Sequence, residues 1–502
     1  MTSLQMSQAE RAPATPPPPK RAAKSEGPTA CALYLPKKSR YCHFAPVPGY
    51  AYCTHHLAAR NDDNGKGDRI PCPLDGSHSI FRKDLTKHLK VCPRAKEAAR
   101  EAALPCFKRN INYCGEEENT DDAVAAATVP TALGAGQSLY GSQAPRTEQQ
   151  LSATPVARVL ELIGRVREAH RLHAAIVASP PPPDEPSTLV ESRGKRAEKH
   201  HQQHEAMVRA LRVLRQGNGA DGGSTGGTPE VIVELGAGKG GLSAALSEHS
   251  PSSSFVLIDW SKPHAAVDPG LRDRGVGCVR YKIDLRHVWL RGVPELQWDA
   301  DAGEPACIPC DDANRKPVRR VAVAKHLCGG ATDFALQSIV SAGGATGAAM
   351  EAIMIATCCH HKCTWGAYVN RPFLQGLGFN EEDFALLTML SSWATTCKGG
   401  GEPSAASSAS TSTTASACGD DDEHAADNPE AARLSQCLGE QMDGAARREL
   451  GRMCKRLLDT GRLKFLEEAG NYGGGRLERY VSEEVSPENV LLMALGGKED
   501  RT

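Results

Sequence analysis

Long apolar runs are missing from this chain. None approaches the roughly 18 or more consecutive apolar residues that a membrane-spanning helix needs, and the mean hydropathy is -0.40, so a soluble protein is expected. The N-terminus, with Pro16 to Pro19, Lys20, Arg21 and Lys24, lacks the apolar stretch of a secretory signal. Cytoplasm or nucleus is therefore the expected compartment. Net charge is also almost absent, at 59 Lys plus Arg against 60 Asp plus Glu. A nucleic-acid surface, if the chain has one, must be local. Nor is there an internal repeat.

Cysteine, glycine and proline are plentiful instead. With 48 Gly and 33 Pro in 502 residues, several ordered pieces joined by loose linkers are expected, because a chain of this length exceeds what one core usually organises. In a reducing compartment the 18 cysteines should stay thiols, so close Cys/His groupings point to metal rather than to disulfides.

Two such groupings stand near the N-terminus. Cys31, Cys42, Cys53 and His56 follow one another with gaps of ten, ten and two residues; four soft ligands in so short a segment suit tetrahedral zinc, with His55 competing for the fourth position. Cys72, His78, His88 and Cys92 lie within 21 residues, and the i, i+4 spacing of His88 and Cys92 puts both on one helical face. A closed Cys2His2 zinc site follows. Segments this small have too little core to fold alone, so bound metal would supply most of their folding free energy. Residues 31 to 109 carry 15 Lys plus Arg against 7 Asp plus Glu. Lys37, Lys38, Arg40, Arg82, Lys83, Lys87 and Lys90, interleaved with Tyr34, Tyr41, Tyr50, Tyr52 and Phe81, suit phosphate contact and base stacking, although aromatics in so small a module can equally be its core.

Residues 1–30 are expected to be disordered, with one zinc module at 31–57 and a second at 69–96. The span 97–229 reads as helices, at 156–177 and 197–215, set among flexible linkers at 115–155, 179–186 and 217–229. A Ser-, Ala-, Thr- and Gly-rich stretch at 399–429, ending in an acidic run, reads as a disordered insertion.

From Glu230 to Leu246 the sequence EVIVELGAGKGGLSAAL is an apolar strand, a glycine-rich turn and a helix, a pattern that lets a nucleotide-like ligand approach the backbone. Gly236, Gly238 and Gly241 also satisfy the dinucleotide G-x-G-x-x-G spacing. Three features favour S-adenosylmethionine (SAM): Glu234 before a turn built on Gly236, Gly238 and Gly240; Asp259 at the end of a strand at 255–260, suited to ribose hydroxyls; and Asp284 in a strand at 279–285, facing an adenine amino group. Further apolar strands at 318–324 and 351–356 run into KHLCGGATD and TCCHHKC. Strand C-termini line the ligand crevice of an open α/β sheet, so Lys325, His326, Asp333, Cys358, Cys359, His360, His361 and Cys363 become candidates for the chemistry. The predicted fold is α/β: a class I, Rossmann-like, SAM-dependent methyltransferase sheet at 230–496, preceded by two small zinc-binding modules and helical or linker segments.

These residues resemble a known family, the eukaryotic 2′-O-ribose methyltransferases that act at position 4 of the tRNA acceptor stem. CALYLPKKSRYC with YCTHH resembles its CCCH-type finger, and RIPCPLDGSHSIFRKDLTKHLKVCP its CHHC-type finger. VELGAGKGGLS, AKHLCGGATDFAL, ATCCHHKCTWGAY, SSWA at 391–394, CKRLLDTGR at 454–462 and YVSEEVSPENVLLMA at 480–494 resemble its catalytic domain, in order. PCFKRNINYCG at 105–115 follows the family only loosely. The resemblance implies tRNA as partner, SAM and zinc as cofactors, and transfer of the sulfonium methyl to a ribose 2′-oxygen. The protein must then align the hydroxyl and help remove its proton. Lys325 is the first candidate, as base or as a cation favouring the alkoxide, with His361 or His326 second. Two rival readings are a nicotinamide-dependent oxidoreductase, from the overlapping glycine pattern, and a non-catalytic zinc-finger RNA-binding or spliceosomal adaptor.

Overall fold

The computed structural model describes residues 31–35, 40–42, 44, 46, 51–53, 69–115, 156–175, 177–178, 195–216, 229–261, 263–296, 318–343, 350–396, 442–470 and 472–497. The expected disordered segments 1–30 and 399–429 lie outside these, as do His55, His56, Lys37, Lys38, Tyr50 and nearly all of the expected linkers. The described residues fall into two compact units, one ending at Lys96 and the other beginning at Glu97.

Among its described residues the first unit has almost no apolar interior. Strands β1 (Tyr34–Leu35) and β2 (Arg40–Tyr41) pair antiparallel, and the buried residues beside them are Cys31, Cys42 and Cys53, packed by Leu33 and Tyr52. Strands β3 (Arg69–Cys72) and β4 (Asp75–Phe81) form a second hairpin, followed by the helix Leu85–Val91.

The second unit is built on an eight-stranded sheet in the order β5-β11-β12-β10-β9-β6-β7-β8. Its strands are β5 (Val177–Ala178), β6 (Glu230–Leu235), β7 (Ser254–Asp259), β8 (Cys278–Lys282), β9 (Arg319–Cys328), β10 (Ala352–Cys358), β11 (Tyr472–Arg479) and β12 (Val490–Gly496). From β6 to β10 all pairings are parallel, and counted from β6 the spatial order is 3-2-1-4-5. That is a doubly wound sheet whose winding reverses between β6 and β9. Beside β10 lies β12, which runs antiparallel. In the dinucleotide-binding arrangement the next strand continues the parallel winding, so the sheet itself speaks against the nicotinamide reading.

Parallel strands buried on both faces read as unbroken apolar runs, as β6 and β7 do. Val231, Val233 and Leu235 join the core on one face, with Leu336 and Ile339 of the helix Ala331–Gly343 and Leu463 and Leu466 of the helix Gly444–Ala469. Ile232 joins the core on the other, with Met207 and Leu211 of the helix Lys195–Gln216 and Leu242 and Leu246 of the helix Gly241–His249. A third, helical cluster joins Leu162 and Val166 of the helix Val156–His173 to Leu387 and Leu390 of Glu381–Ser391 and Leu457 and Leu458 of Gly444–Ala469.

Several boundaries differ from the sequence expectation. The helix from Val156 stops at His173, and Val177 becomes an edge strand that pairs with Leu477. Strand β9 runs four residues past Ala324, so Lys325 and Cys328 are strand residues. The loosely matching segment at 105–115 packs on the second unit: Phe107 bridges Val288, and Asn112 Nδ2 donates to the carbonyls of Leu285 and Val288, both at 2.7 Å.

One buried charge network ties the long C-terminal helix to the ends of the central strands. Arg462, 1% exposed, donates to both oxygens of Asp333 at 3.1 and 2.7 Å and to Asp459 at 3.0 Å. His360 Nε2 lies 2.8 Å from the second partner of that arginine, Asp459, which also accepts the Thr357 hydroxyl at 3.0 Å. Burial alone would raise the Asp459 pKa, but His360 and Arg462 hold it well below the usual carboxylate range. Replacing Arg462 with Leu strands two carboxylates in the interior, so a loss of about 3 to 5 kcal/mol is expected, read as a lower urea midpoint. An unchanged midpoint would show that the network contributes nothing net.

Candidate active site and zinc modules

The reversal point between β6 and β9 is where an open α/β sheet offers its ligand crevice, and the glycine turn stands there. Gly236, Gly238 and Gly240 all have positive φ, at 67°, 50° and 83°, a region side chains rarely adopt. They are not equivalent. A Cβ on Gly236 would meet Leu327 Cδ2 at 2.3 Å, and one on Gly240 would meet Leu257 and Val267 at 2.7 Å, whereas one on Gly238 would enter open space. Gly236 and Gly240 are needed for packing; Gly238 leaves room for a ligand against the backbone.

Two acids brace the turn. Glu234, 2% exposed, accepts from the Ser243 amide at 3.0 Å and from the Ser243 hydroxyl, anchoring the first turn of the helix Gly241–His249. Desolvation raises its pKa to about 7 despite those hydrogen bonds and the charges of Arg280 and Lys325. Asp259 accepts from the Gly238 amide at 2.8 Å through one oxygen and from the Ser261 amide and hydroxyl, each at 2.8 Å, through the other. Asp284 lies two residues beyond β8, where its carboxylate caps the turn Leu285–His287, accepting from the Arg286 amide and guanidinium, both at 2.9 Å. Its own amide donates to Glu101 at 2.7 Å. Both of its oxygens are thus engaged by the chain.

Lys325 is 7% exposed. Residues alternate faces along a strand, and Val321 and Val323 belong to the core beneath the helix Lys195–Gln216; Lys325 points the same way, and its Nζ lies 3.3 Å from His200 Nδ1 on that helix. Desolvation lowers its pKa to about 8, with Glu234 pulling in the opposite direction. Nothing in the sequence linked His200 to Lys325, 125 residues later. The neighbouring His326 is a β-bulge: Ala356 pairs with Lys325 and Thr357 with Leu327, skipping His326, whose φ is 65°. Its ring is exposed and makes an edge contact with His200, centroids 6.2 Å apart.

The TCCHHKC cluster is divided. His360 and Cys363 turn inward, to Asp459 and Arg462, and Asp333 of the other cluster joins them. His361 is half-buried, its pKa lowered by desolvation and pulled up by Cys359. Cys358 and Cys359 gather with Cys328.

In the N-terminal unit the ligand candidates converge. Cys72, His78, His88 and Cys92 bring four donor atoms within 4.8 Å of one another: His78 and His88 Nε2 are 3.1 Å apart, His88 Nε2 and Cys72 Sγ 3.2 Å, and the two sulfurs 3.9 Å. A zinc tetrahedron with bonds of about 2.3 Å to sulfur and about 2.0 Å to nitrogen has edges of about 3.3 to 3.8 Å, so the donor set fits. Asp75 backs His78 through Nδ1 at 3.4 Å, as carboxylates behind metal-bound histidines do. Cys31, Cys42 and Cys53 also meet, with Cys42 and Cys53 Sγ 3.9 Å apart. Arg40, Arg82, Lys83, Lys87 and Lys90 are exposed, as is Tyr41.

The sequence model of the methyltransferase TRM13 family matches residues 206–495, more than half of the chain. The chain belongs to the TRM13 methyltransferase family. The CCCH zinc finger of TRM13 proteins matches residues 29–57, and a U11-48K-like CHHC zinc finger matches 69–93. A mouse protein named tRNA:m(4)X modification enzyme TRM13 homolog is 28% identical over 515 residues, which cover 93% of this chain and 94% of its own. Its Dictyostelium discoideum counterpart is 30% identical over 442 residues, covering 85% and 74%. Among solved structures, a coclaurine N-methyltransferase bound to N-methylheliamine and SAH is similar at a TM-score of 0.20 and 9% identity, covering 70% of this chain and 92% of that one; so slight a likeness carries no argument.

A methyltransferase of this fold takes its methyl group from SAM, and the open space at Gly238 fits a cofactor lying against the turn. Gly238→Asp should abolish SAM binding by calorimetry, because the side chain fills that space at an unfavourable φ. Asp259→Ala should weaken it by roughly 1 to 3 kcal/mol. If neither variant changed SAM affinity, the cofactor would have to bind elsewhere.

Proposed function

We propose that this chain is a tRNA methyltransferase that moves the methyl group of SAM to a ribose 2′-hydroxyl at position 4 of the acceptor stem, working in the cytoplasm or nucleus. The observation that carries this reading is the extent of the match: relatives named tRNA:m(4)X modification enzymes align along 93% of this chain, so that fingers and methyltransferase sheet correspond together. The 2′-hydroxyl follows from the resemblance of the HLCGGATD and CCHHKC motifs. No helix among the described residues is long and apolar enough to cross a membrane.

The labour divides along the chain. Cys31, Cys42, Cys53 and His56 hold one zinc ion, and Cys72, His78, His88 and Cys92 another, organising a basic surface for RNA phosphates at 31–57 and 69–96. The sheet at 230–496 binds SAM at the turn of Gly236, Gly238 and Gly240, which Glu234 and Asp259 brace, while Asp284 is engaged by Arg286. SAM supplies an electrophilic methyl group when bound. The remaining task is to orient the 2′-hydroxyl and take its proton as the oxygen attacks. Lys325 is suited to this as general base: with its pKa lowered to about 8, a useful fraction is neutral near physiological pH, and His200 at 3.3 Å steadies its amine. His361 and His326 stand second.

The test is mass spectrometry of tRNA incubated with the protein and labelled SAM, which should locate one ribose methyl at position 4; no methylation of any tRNA would defeat the reading. In single turnovers Lys325→Ala should slow transfer by roughly 10²-fold or more while tRNA still binds. For a lysine base the rate must rise with pH through about 8, as the proton leaves, and level off above it. A rate that falls over that range would assign Lys325 the role of a cation instead. Neutralising Lys37, Lys38 and Arg40 together should weaken tRNA binding and flatten its salt dependence, because fewer counterions are released, with SAM affinity unchanged. Unaltered tRNA affinity would make that patch purely structural.

A further inference from the structure

We propose that Cys328, Cys358 and Cys359 bind a third zinc ion, which ties together the C-terminal ends of the two central strands β9 and β10. Their three sulfurs lie within 4.8 Å of one another, with Cys328 Sγ 3.3 Å from Cys359 Sγ and 3.8 Å from Cys358 Sγ. Thiolates on a tetrahedral zinc ion stand about 3.8 Å apart, given Zn–S bonds of about 2.3 Å. The finger cysteines show the same spacing, 3.9 Å for Cys42 with Cys53 and for Cys72 with Cys92.

Chain geometry explains how three sulfurs from two strands meet. Cys358 pairs directly with Cys328 in the parallel ladder, a pairing that exists only because the bulge at His326 slips the register by one residue. Cys359 then turns back at φ 47°. Non-glycine residues held in that region are strained and persist where the surroundings demand them; here one, His326, lies two residues before Cys328 and the other is Cys359 itself.

Ordinary core packing does not account for this cluster. Buried cysteines serve elsewhere as small apolar side chains: Cys106 and Cys278 pack among Val, Leu and Ile, and Cys454 among helical leucines. Here three polarisable thiols converge at strand ends, and two of them are only half-buried. Cys363 is not a fourth ligand, since it sits against Arg462 at 3.1 Å. Three thiolates leave one vertex for a non-cysteine ligand; His326, two residues before Cys328, and His361, two after Cys359, are the nearest imidazoles along the two segments that carry the cluster. Binding would release the thiol protons. The site lies three residues from Lys325 and two from His361, so the ion would act as a positioning element for that end of the sheet. Its existence does not depend on tRNA being the substrate.

The experiment is the zinc content of the full-length protein, purified in reductant without chelator. About three equivalents are expected in the natural chain, one for each four-coordinate site. Cys328→Ser and Cys359→Ser should each lose one equivalent, and Cys454→Ser none. Should the cluster variants fail to fold, the full-length chain carrying Cys31→Ser and Cys72→Ser, which cripples both fingers and leaves the cluster intact, should keep one equivalent; no zinc there would overturn the proposal. So would two equivalents in the natural chain unaltered by Cys328→Ser, or two equivalents with Cys328 in a disulfide by mass spectrometry, which would make the cluster a redox pair.

Discussion

The bulge at His326 is the constraint on which the rest of the catalytic end depends. A regular strand would carry Lys325, Leu327 and Val323 on one face of the sheet. Skipping His326 keeps Lys325 beneath the helix that bears His200, while Leu327 turns over into the opposite core. There its methyl fills the space that a Cβ on Gly236 would need. One local irregularity thus turns Leu327 under the cofactor turn and brings Cys328 level with Cys358, while Lys325 keeps the side that ordinary alternation gives it. Bulges re-aim side chains beside active sites in many sheets; this one re-aims Leu327 and Cys328.

The buried charges around Arg462 solve a different problem. The C-terminal ends of β9 and β10 carry polar sequences that cannot simply face a core, since each unpaired buried charge is expensive. Asp333, Asp459, Arg462 and His360 pair their charges with one another, two of the four following the central strands and two coming from the helix Gly444–Ala469. The motif CCHHKC is therefore partly scaffold. His360 and Cys363 are locked into the network, which leaves His361 and the two adjacent cysteines for other work.

Periodicity revealed most of the sheet. The apolar runs that begin at Glu230 and lie at 255–260, 318–324 and 351–356 could be read as strands because most of each is buried on both faces, and the glycine turn announced its helix. What periodicity cannot show is which side chains meet from distant parts of the chain. His200 gave no sign of facing Lys325, and Cys328 stood apart from the CCHHKC cysteines by thirty residues. Asp284 was recognised as a strand-end acid, but its capture by Arg286 depends on where β8 stops, which is settled by the packing of 101–115 against the turn that follows. The weakly patterned segment PCFKRNINYCG is structural for the same reason: Asn112 satisfies two carbonyls that the turn leaves open.

The cysteine clusters differ in what a metal must do for them. In the N-terminal unit the buried residues described in the first module are the candidate ligands Cys31, Cys42 and Cys53, with Leu33 and Tyr52 around them, so a metal there would bind and fold the module in one event. Cys328 and Cys358 end strands β9 and β10 and Cys359 follows at once; β10 is buried throughout and β9 from Val321 to Lys325, so hydrophobic burial already holds the sheet together there. An ion at that place adds little to global stability and acts on the last few residues of each strand, where the hydrogen-bonded ladder ends and the reacting groups begin. The same chemistry therefore builds a small domain at one end of the sequence and sets the geometry of a few side chains at the other.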